Sequence, residues 1–117
     1  MYANKVKKIA AVHDLSGMGR VSLTVVIPIL SSMGFQVCPL PTAVLSNHTQ
    51  YPGFSFLDLT EEMKHIIAHW EKMNVHFDTF YTGYLGSPQQ AQIVEEFIQK
   101  FRGENDMVVV DPVLGDN

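Results

Sequence analysis

Short apolar runs alternate with longer amphipathic stretches along this chain. Residues 8–12 are apolar and β-prone through Ile9, Ala10, Ala11 and Val12. A Gly-containing segment follows, which predicts a buried strand running into a tight loop. Residues 21–33 give mixed signals. Val21, Thr24, Val25, Val26 and Ile27 favour a strand, but Pro28 does not suit a central strand and strains a helix interior. With Gly34 as a stop signal, the segment is expected to be a helix kinked or locally opened at Pro28. Residues 35–45 look like a strand interrupted by Pro39 and Pro41.

The clearest helical pattern covers residues 59–73. Leu59, Met63, Ile66, Ile67, Trp70 and Met73 fall on one stripe, while Glu62, Lys64 and Glu71 point elsewhere. Asp58 with Glu61 predicts a capping box at its start. A strand is expected over residues 77–81. Ser87, Pro88 and Gln90 then open a second helix as N-cap, first position and box partner. Its stripe is Val94, Phe97, Ile98 and Phe101, and Gly103 stops it. Residues 107–110 are continuously apolar, as in a strand covered on both faces. Strands and helices thus alternate, which is the pattern of an α/β domain with a parallel sheet. The last strand has no crossover after it, so residues 1–117 are expected to be the N-terminal part of a single larger domain, a fragment or a truncated reading frame.

Composition narrows the function classes. Hydrophobic residues make up 46% and charged residues 17%, a globular balance and not a disordered one. The net charge is −4, with no basic patch to draw nucleic acid or an anionic membrane. Phosphates, if bound, must be held by backbone N–H groups and metal. The single cysteine, Cys38, excludes an internal disulfide, and its neighbours Val37 and Pro39 indicate a buried strand position. No apolar run approaches the roughly 20 residues that span a bilayer. The N-terminus has no secretory pattern, so a cytoplasmic location is expected.

Polar, small and acidic residues gather in four segments, each after a strand: residues 13–20, 46–51, 82–87 and 111–117. In an open parallel sheet these all lie at the C-terminal edge, where α/β proteins bind ligands. The first segment carries Gly17 and Gly19, which permit close backbone approach to a ligand or make an ordinary strand–helix turn. It is not a P-loop, since no Gly-Lys-Ser/Thr follows. Asp14 fits a ligand contact and a helix cap equally. Ser46-Asn47-His48-Thr49-Gln50-Tyr51 suits recognition of a polar heteroaromatic ring, or forms a self-bonded turn. His65 and His69 have metal-ligand spacing but no third ligand nearby, and His76 is expected at the surface. Asp111 and Asp116 suit Mg²⁺ or a monovalent cation beside phosphates, or a solvated turn.

Three motifs, in this order and approximate spacing, resemble the pyridoxal kinase family of the ribokinase superfamily. They are Ser46-Asn47-His48-Thr49-Gln50-Tyr51, Thr82-Gly83-Tyr84-Leu85-Gly86-Ser87 and Asp111-Pro112-Val113-Leu114-Gly115-Asp116. Pro39-Leu40-Pro41-Thr42-Ala43-Val44-Leu45 resembles the strand leading into the family's substrate loop. The resemblance implies a three-layer α/β/α ribokinase-like fold with a mostly parallel central sheet, here covering less than half of a family member. It implies ATP-dependent phosphorylation of the hydroxymethyl group of pyridoxal, pyridoxine or pyridoxamine, with Mg²⁺ and in a homodimer. It places Ser46, Thr49 and Tyr84 around the vitamin, and Asp111 and Asp116 near the ATP phosphates and their cations. The catalytic base and anion hole are expected beyond Asn117, which would leave residues 1–117 inactive alone. Where the family has a serine at the end of the first strand, this chain has His13, then Asp14. His13-Asp14-Leu15-Ser16-Gly17-Met18-Gly19 instead resembles a shortened loop of hydroxymethylpyrimidine kinases. Two alternatives follow: a hydroxymethylpyrimidine (phosphate) kinase, and a non-catalytic vitamin-binding remnant.

Overall fold

In the computed structural model, residues 6–18, 22–47, 50, 52–83 and 85–110 are described. Eight elements follow one another along them: β1 (Lys8–Ser16), α1 (Leu23–Ser32), β2 (Gln36–Leu45), β3 (Phe56–Asp58), α2 (Thr60–Lys72), β4 (Thr79–Thr82), α3 (Pro88–Phe101) and β5 (Met107–Val110). The five strands form one sheet in the order β3-β2-β1-β4-β5. β1, β2, β4 and β5 are mutually parallel, and β3 pairs antiparallel with the end of β2.

Strand alternation sorts the side chains into two layers. Ala10 and Val12 of β1, Leu40 of β2 and Phe80 of β4 face α2 and α3, where they meet Met63, Val94, Phe97 and Phe77 in the main core. Phe77, Phe80, Phe97 and Phe101 stack edge-on or tilted with centroids 4.9–5.9 Å apart, and Trp70 closes the cluster from α2. Ile9 and Ala11, also buried, point to the opposite face, which α1 covers by packing on β1 and β2. The architecture is therefore three-layered and mostly parallel, as the alternation of elements requires. No helix among the described residues is long and apolar enough to cross a membrane.

Three local expectations are corrected. β2 runs unbroken through Pro39 and Pro41. Gln36 N–H donates to Lys7 O, so even-numbered residues there aim their N–H at β1 and the two prolines face the side where no strand pairs. A missing N–H costs nothing at an open edge. β3 was not anticipated, because three exposed residues carry too little alternation to register as a strand. At the start of α2 the N-cap is Leu59. Asp58 instead accepts the Thr60 N–H (3.0 Å), and Glu61 pairs outward with Lys64 (3.0 Å). Within the described residues β5 is the outermost strand, with Met107 and Val110 60% and 65% exposed. Only Val108 packs on the core.

Candidate functional site

The sheet order fixes where a site can form. From β1 the chain leaves through α1 on one face, and from β4 it leaves through α3 on the other. The carboxyl ends of β1 and β4, which are neighbours, therefore open a crevice between diverging connections, the place where open α/β sheets bind ligands. β1 reaches this edge carrying His13, Asp14 and Ser16, and β4 reaches it with Thr82 and Gly83.

His13 is 5% exposed and set edge-on to Tyr81, with ring centroids 4.7 Å apart and planes at 70°. Its ring lies directly over Gly83, where any Cβ would overlap the imidazole. Gly83 N–H donates to Val12 O at 2.9 Å, which locks the end of β4 to the end of β1. Glycine at position 83 is thus required by space.

Asp14 spans from β1 to α1. Ser22 Oγ donates to Asp14 Oδ1 at 2.5 Å, and Ser16 Oγ donates to Oδ2 at 3.3 Å. Thr24 Oγ1 donates to Ser16 O at 2.7 Å. Ser22 has φ of 58° with ψ of −143°, a combination outside the αL basin that costs a non-glycine residue energy and is held here by this bond. Of the two roles open to Asp14 from sequence, anchoring the helix start is the one the geometry displays.

Ser46 lies at the same edge, at the end of β2. Its Oγ donates to Asn47 Oδ1 and accepts the Ser55 N–H, both at 2.8 Å, so it clasps the turn between β2 and β3. Gly17 docks against this turn: its N–H donates to Leu45 O at 2.8 Å, and a Cβ would come within 2.9 Å of Ser46 O. His13, Asp14 and Ser46 are therefore brought to one edge. Thr49, Tyr84, Asp111 and Asp116 lie outside the described residues.

Two supports of this edge escaped the sequence. One is the His13–Gly83 contact, for which a Thr-Gly pair after an apolar run is the only trace. The other is Gln90, expected only as a cap partner. Its backbone N–H does bond Ser87 Oγ (3.1 Å), but its side chain is 2% exposed and reaches across three elements. Nε2 donates to Thr42 O, Thr60 Oγ1 and Asp58 Oδ1 at 3.0–3.2 Å, and Oε1 accepts from Gly86 N at 3.2 Å. Gln90 thereby ties the loop after β4 to β2 and α2. Next to the loop, an open and mostly apolar groove between α3 and β4–β5 is lined by Thr82, Gly83, Val94, Ile98, Val108 and Val110. Cys38 lies mid-strand, away from this edge, and burial pushes its thiol above its ordinary value, partly offset by Lys8.

No family model matches the chain. Among curated proteins it is similar to pyridoxal kinase PdxY of Vibrio vulnificus, 36% identical over 96 residues that make up 74% of this chain and 32% of the relative. Among solved structures, a candidate phosphomethylpyrimidine kinase from Bacteroides thetaiotaomicron is 80% identical over the whole chain and 41% of its own length, with a TM-score of 0.93. An orthorhombic crystal form of it contains pyridoxal. Pyridoxal kinase from Lactobacillus plantarum is 34% identical, with a TM-score of 0.85 over 96% of this chain and 40% of that one. Pyridoxal kinase from Leishmania donovani, solved with ADP and pyridoxamine, is 26% identical, with a TM-score of 0.78 over 95% and 41%. The chain spans about a third of the length of the curated relatives it matches.

Proposed function

The chain belongs to the pyridoxal kinase family, and from that premise we propose that the protein carrying it phosphorylates the hydroxymethyl group of pyridoxal, pyridoxine or pyridoxamine at the expense of ATP. The observation that carries this is the 80% identical neighbour that holds pyridoxal. The open crevice between β1 and β4 supports it, because it lies where α/β folds take their ligands. ADP in the Leishmania donovani enzyme supports an adenine nucleotide as phosphoryl donor.

In this proposal His13, Asp14, Ser46, Thr49 and Tyr84 form the vitamin side of the site. His13 supplies a ring nitrogen at the crevice, and Asp14 and Ser46 act by fixing the loops after β1 and β2. Asp111 and Asp116 form the phosphate side. Their carboxylates are hard oxygen donors of the kind that hold Mg²⁺, and Mg²⁺ would neutralise charge on the transferred phosphoryl group. The catalytic base is assigned outside residues 1–117. A homodimer is proposed for the full-length protein. The reaction is placed in the cytoplasm, where ATP is plentiful.

Phosphate transfer from ATP to pyridoxal by the protein at its natural length is the test, with hydroxymethylpyrimidine assayed in parallel. Turnover of pyridoxal is expected. Turnover of the pyrimidine alone would move the protein to the neighbouring kinase class, a reading favoured by the name given to the Bacteroides thetaiotaomicron protein. Binding of pyridoxal without turnover would favour a binding module.

A further inference from the structure

At the sheet edge opposite the crevice, three side chains converge from three segments: His76, Asp78 just before β4, and Asp106 just before β5. His76 Nε2 is 3.6 Å from Asp78 Oδ1 and 3.6 Å from Asp106 Oδ1. One donor atom from each residue lies within 4.8 Å of the other two. We propose that this triad is a structural binding site for a divalent transition-metal ion of the zinc class, which clamps the starts of β4 and β5 to the start of β1.

The geometry favours an ion over simple pairing. A separation of 3.6 Å is too long for a hydrogen bond. Two ligands at about 2.0–2.1 Å from a tetrahedral Zn²⁺ stand roughly 3.3 Å apart. The imidazole needs to close by only a few tenths of an ångström toward each carboxylate, and the two carboxylate oxygens, which lie within 4.8 Å of each other, draw together around the ion. The carboxylates are also aimed. Asp78 Oδ2 accepts the Lys8 N–H at 2.8 Å, and Asp106 Oδ2 accepts the Gly103 N–H at 2.7 Å. Each thus has one oxygen fixed by backbone and the other turned to His76, the arrangement in which outer partners orient metal ligands. Gly103 leaves room for this, since a Cβ there would come within 3.0 Å of Asp106 Oδ2.

Charge and donor type select the ion. Two carboxylates and a neutral imidazole balance a divalent cation. The imidazole nitrogen suits zinc, cobalt, nickel or copper better than Mg²⁺ or Ca²⁺, which take oxygen donors. Asp106 is 11% exposed and Asp78 35%, while His76 at 61% leaves the remaining coordination positions to water. Such a site is structural, because it lies away from the crevice and holds strand starts.

Calorimetric titration of the metal-stripped, full-length protein with ZnCl₂ tests this, together with thermal unfolding and the visible absorption of a Co²⁺-loaded sample. The expected result is one saturable equivalent per chain assignable to the triad, an unfolding midpoint that rises with Zn²⁺ concentration, and a Co²⁺ spectrum. His76→Ala, a surface change, should weaken binding at least tenfold and remove the midpoint shift. His65→Ala/His69→Ala should leave both unchanged. No saturable binding, or binding that survives His76→Ala, overturns the proposal. A midpoint that does not respond to Zn²⁺ also overturns it. None of these readouts depends on kinase activity.

Discussion

Gly83→Ala isolates the contact on which the crevice depends. A methyl group at position 83 cannot coexist with the imidazole of His13. The ring cannot retreat easily, because it is 5% exposed and packed edge-on against Tyr81. Overpacking of this kind costs about 1–3 kcal/mol. Each kcal/mol lowers the melting temperature by roughly 2–4 °C in domains of about 150–250 residues and by less in larger ones, so a loss of at most a few degrees is expected for the full-length protein. The assay is a double-mutant cycle by thermal or urea unfolding, using Gly83→Ala, His13→Ala and the pair. If the ring is what the methyl meets, Gly83→Ala should be nearly neutral once His13 is alanine, with a coupling of about 1–3 kcal/mol. The KM for pyridoxal should rise more than that for ATP in the single Gly83 variant. Equal cost of Gly83→Ala in both backgrounds would refute the steric reasoning and leave backbone conformation as the cause.

Four further outcomes are expected. Gln90→Met should destabilise by about 1–3 kcal/mol, because it removes the buried bonds to Thr42 O and Thr60 Oγ1 together with those to Asp58 and Gly86; proteolysis near residue 86 and urea unfolding check this. Gln90→Glu should be worse at neutral pH, since it sets a second carboxylate beside Asp58. Phe97→Ala should cost about 3–5 kcal/mol by urea unfolding, because Phe97 is 1% exposed and touches Trp70, Phe77, Phe80 and Phe101. Cys38 should react with thiol reagents on a pH profile displaced upward from that of a free cysteine, because burial disfavours its thiolate more than Lys8 favours it. The folded state binds that proton more tightly than the unfolded state does. Its stabilising contribution is therefore present below the unfolded pKa and is lost as pH rises through the folded one.

Much of this protein is local enough to be determined by sequence alone. The stripes of Met63, Ile66 and Trp70 and of Val94, Phe97 and Phe101 require amphipathic helices, and Ser87-Pro88 sets the start of α3 in the structure as well. Apolar runs separated by helices require a parallel sheet, and a parallel sheet places its loops at one edge. His13, Asp14 and Ser46 could be assigned to that edge without coordinates, because their position follows from connectivity.

The tertiary structure decided what depends on partners distant in sequence. Residues 107–110 pair in parallel with β4, a neighbour that their composition does not encode. Pro39 and Pro41 are compatible with β2 because their missing N–H groups face away from β1, on the side where β3 pairs only with residues 43–45. Gln90 reads as a cap until folding buries it against Thr42, 48 residues away. The seat of His13 over Gly83 and the meeting of His76, Asp78 and Asp106 are likewise juxtapositions across strands. Spacing along the chain carries periodicity, whereas contact between strands is a property of register, and register exists only once the sheet has formed.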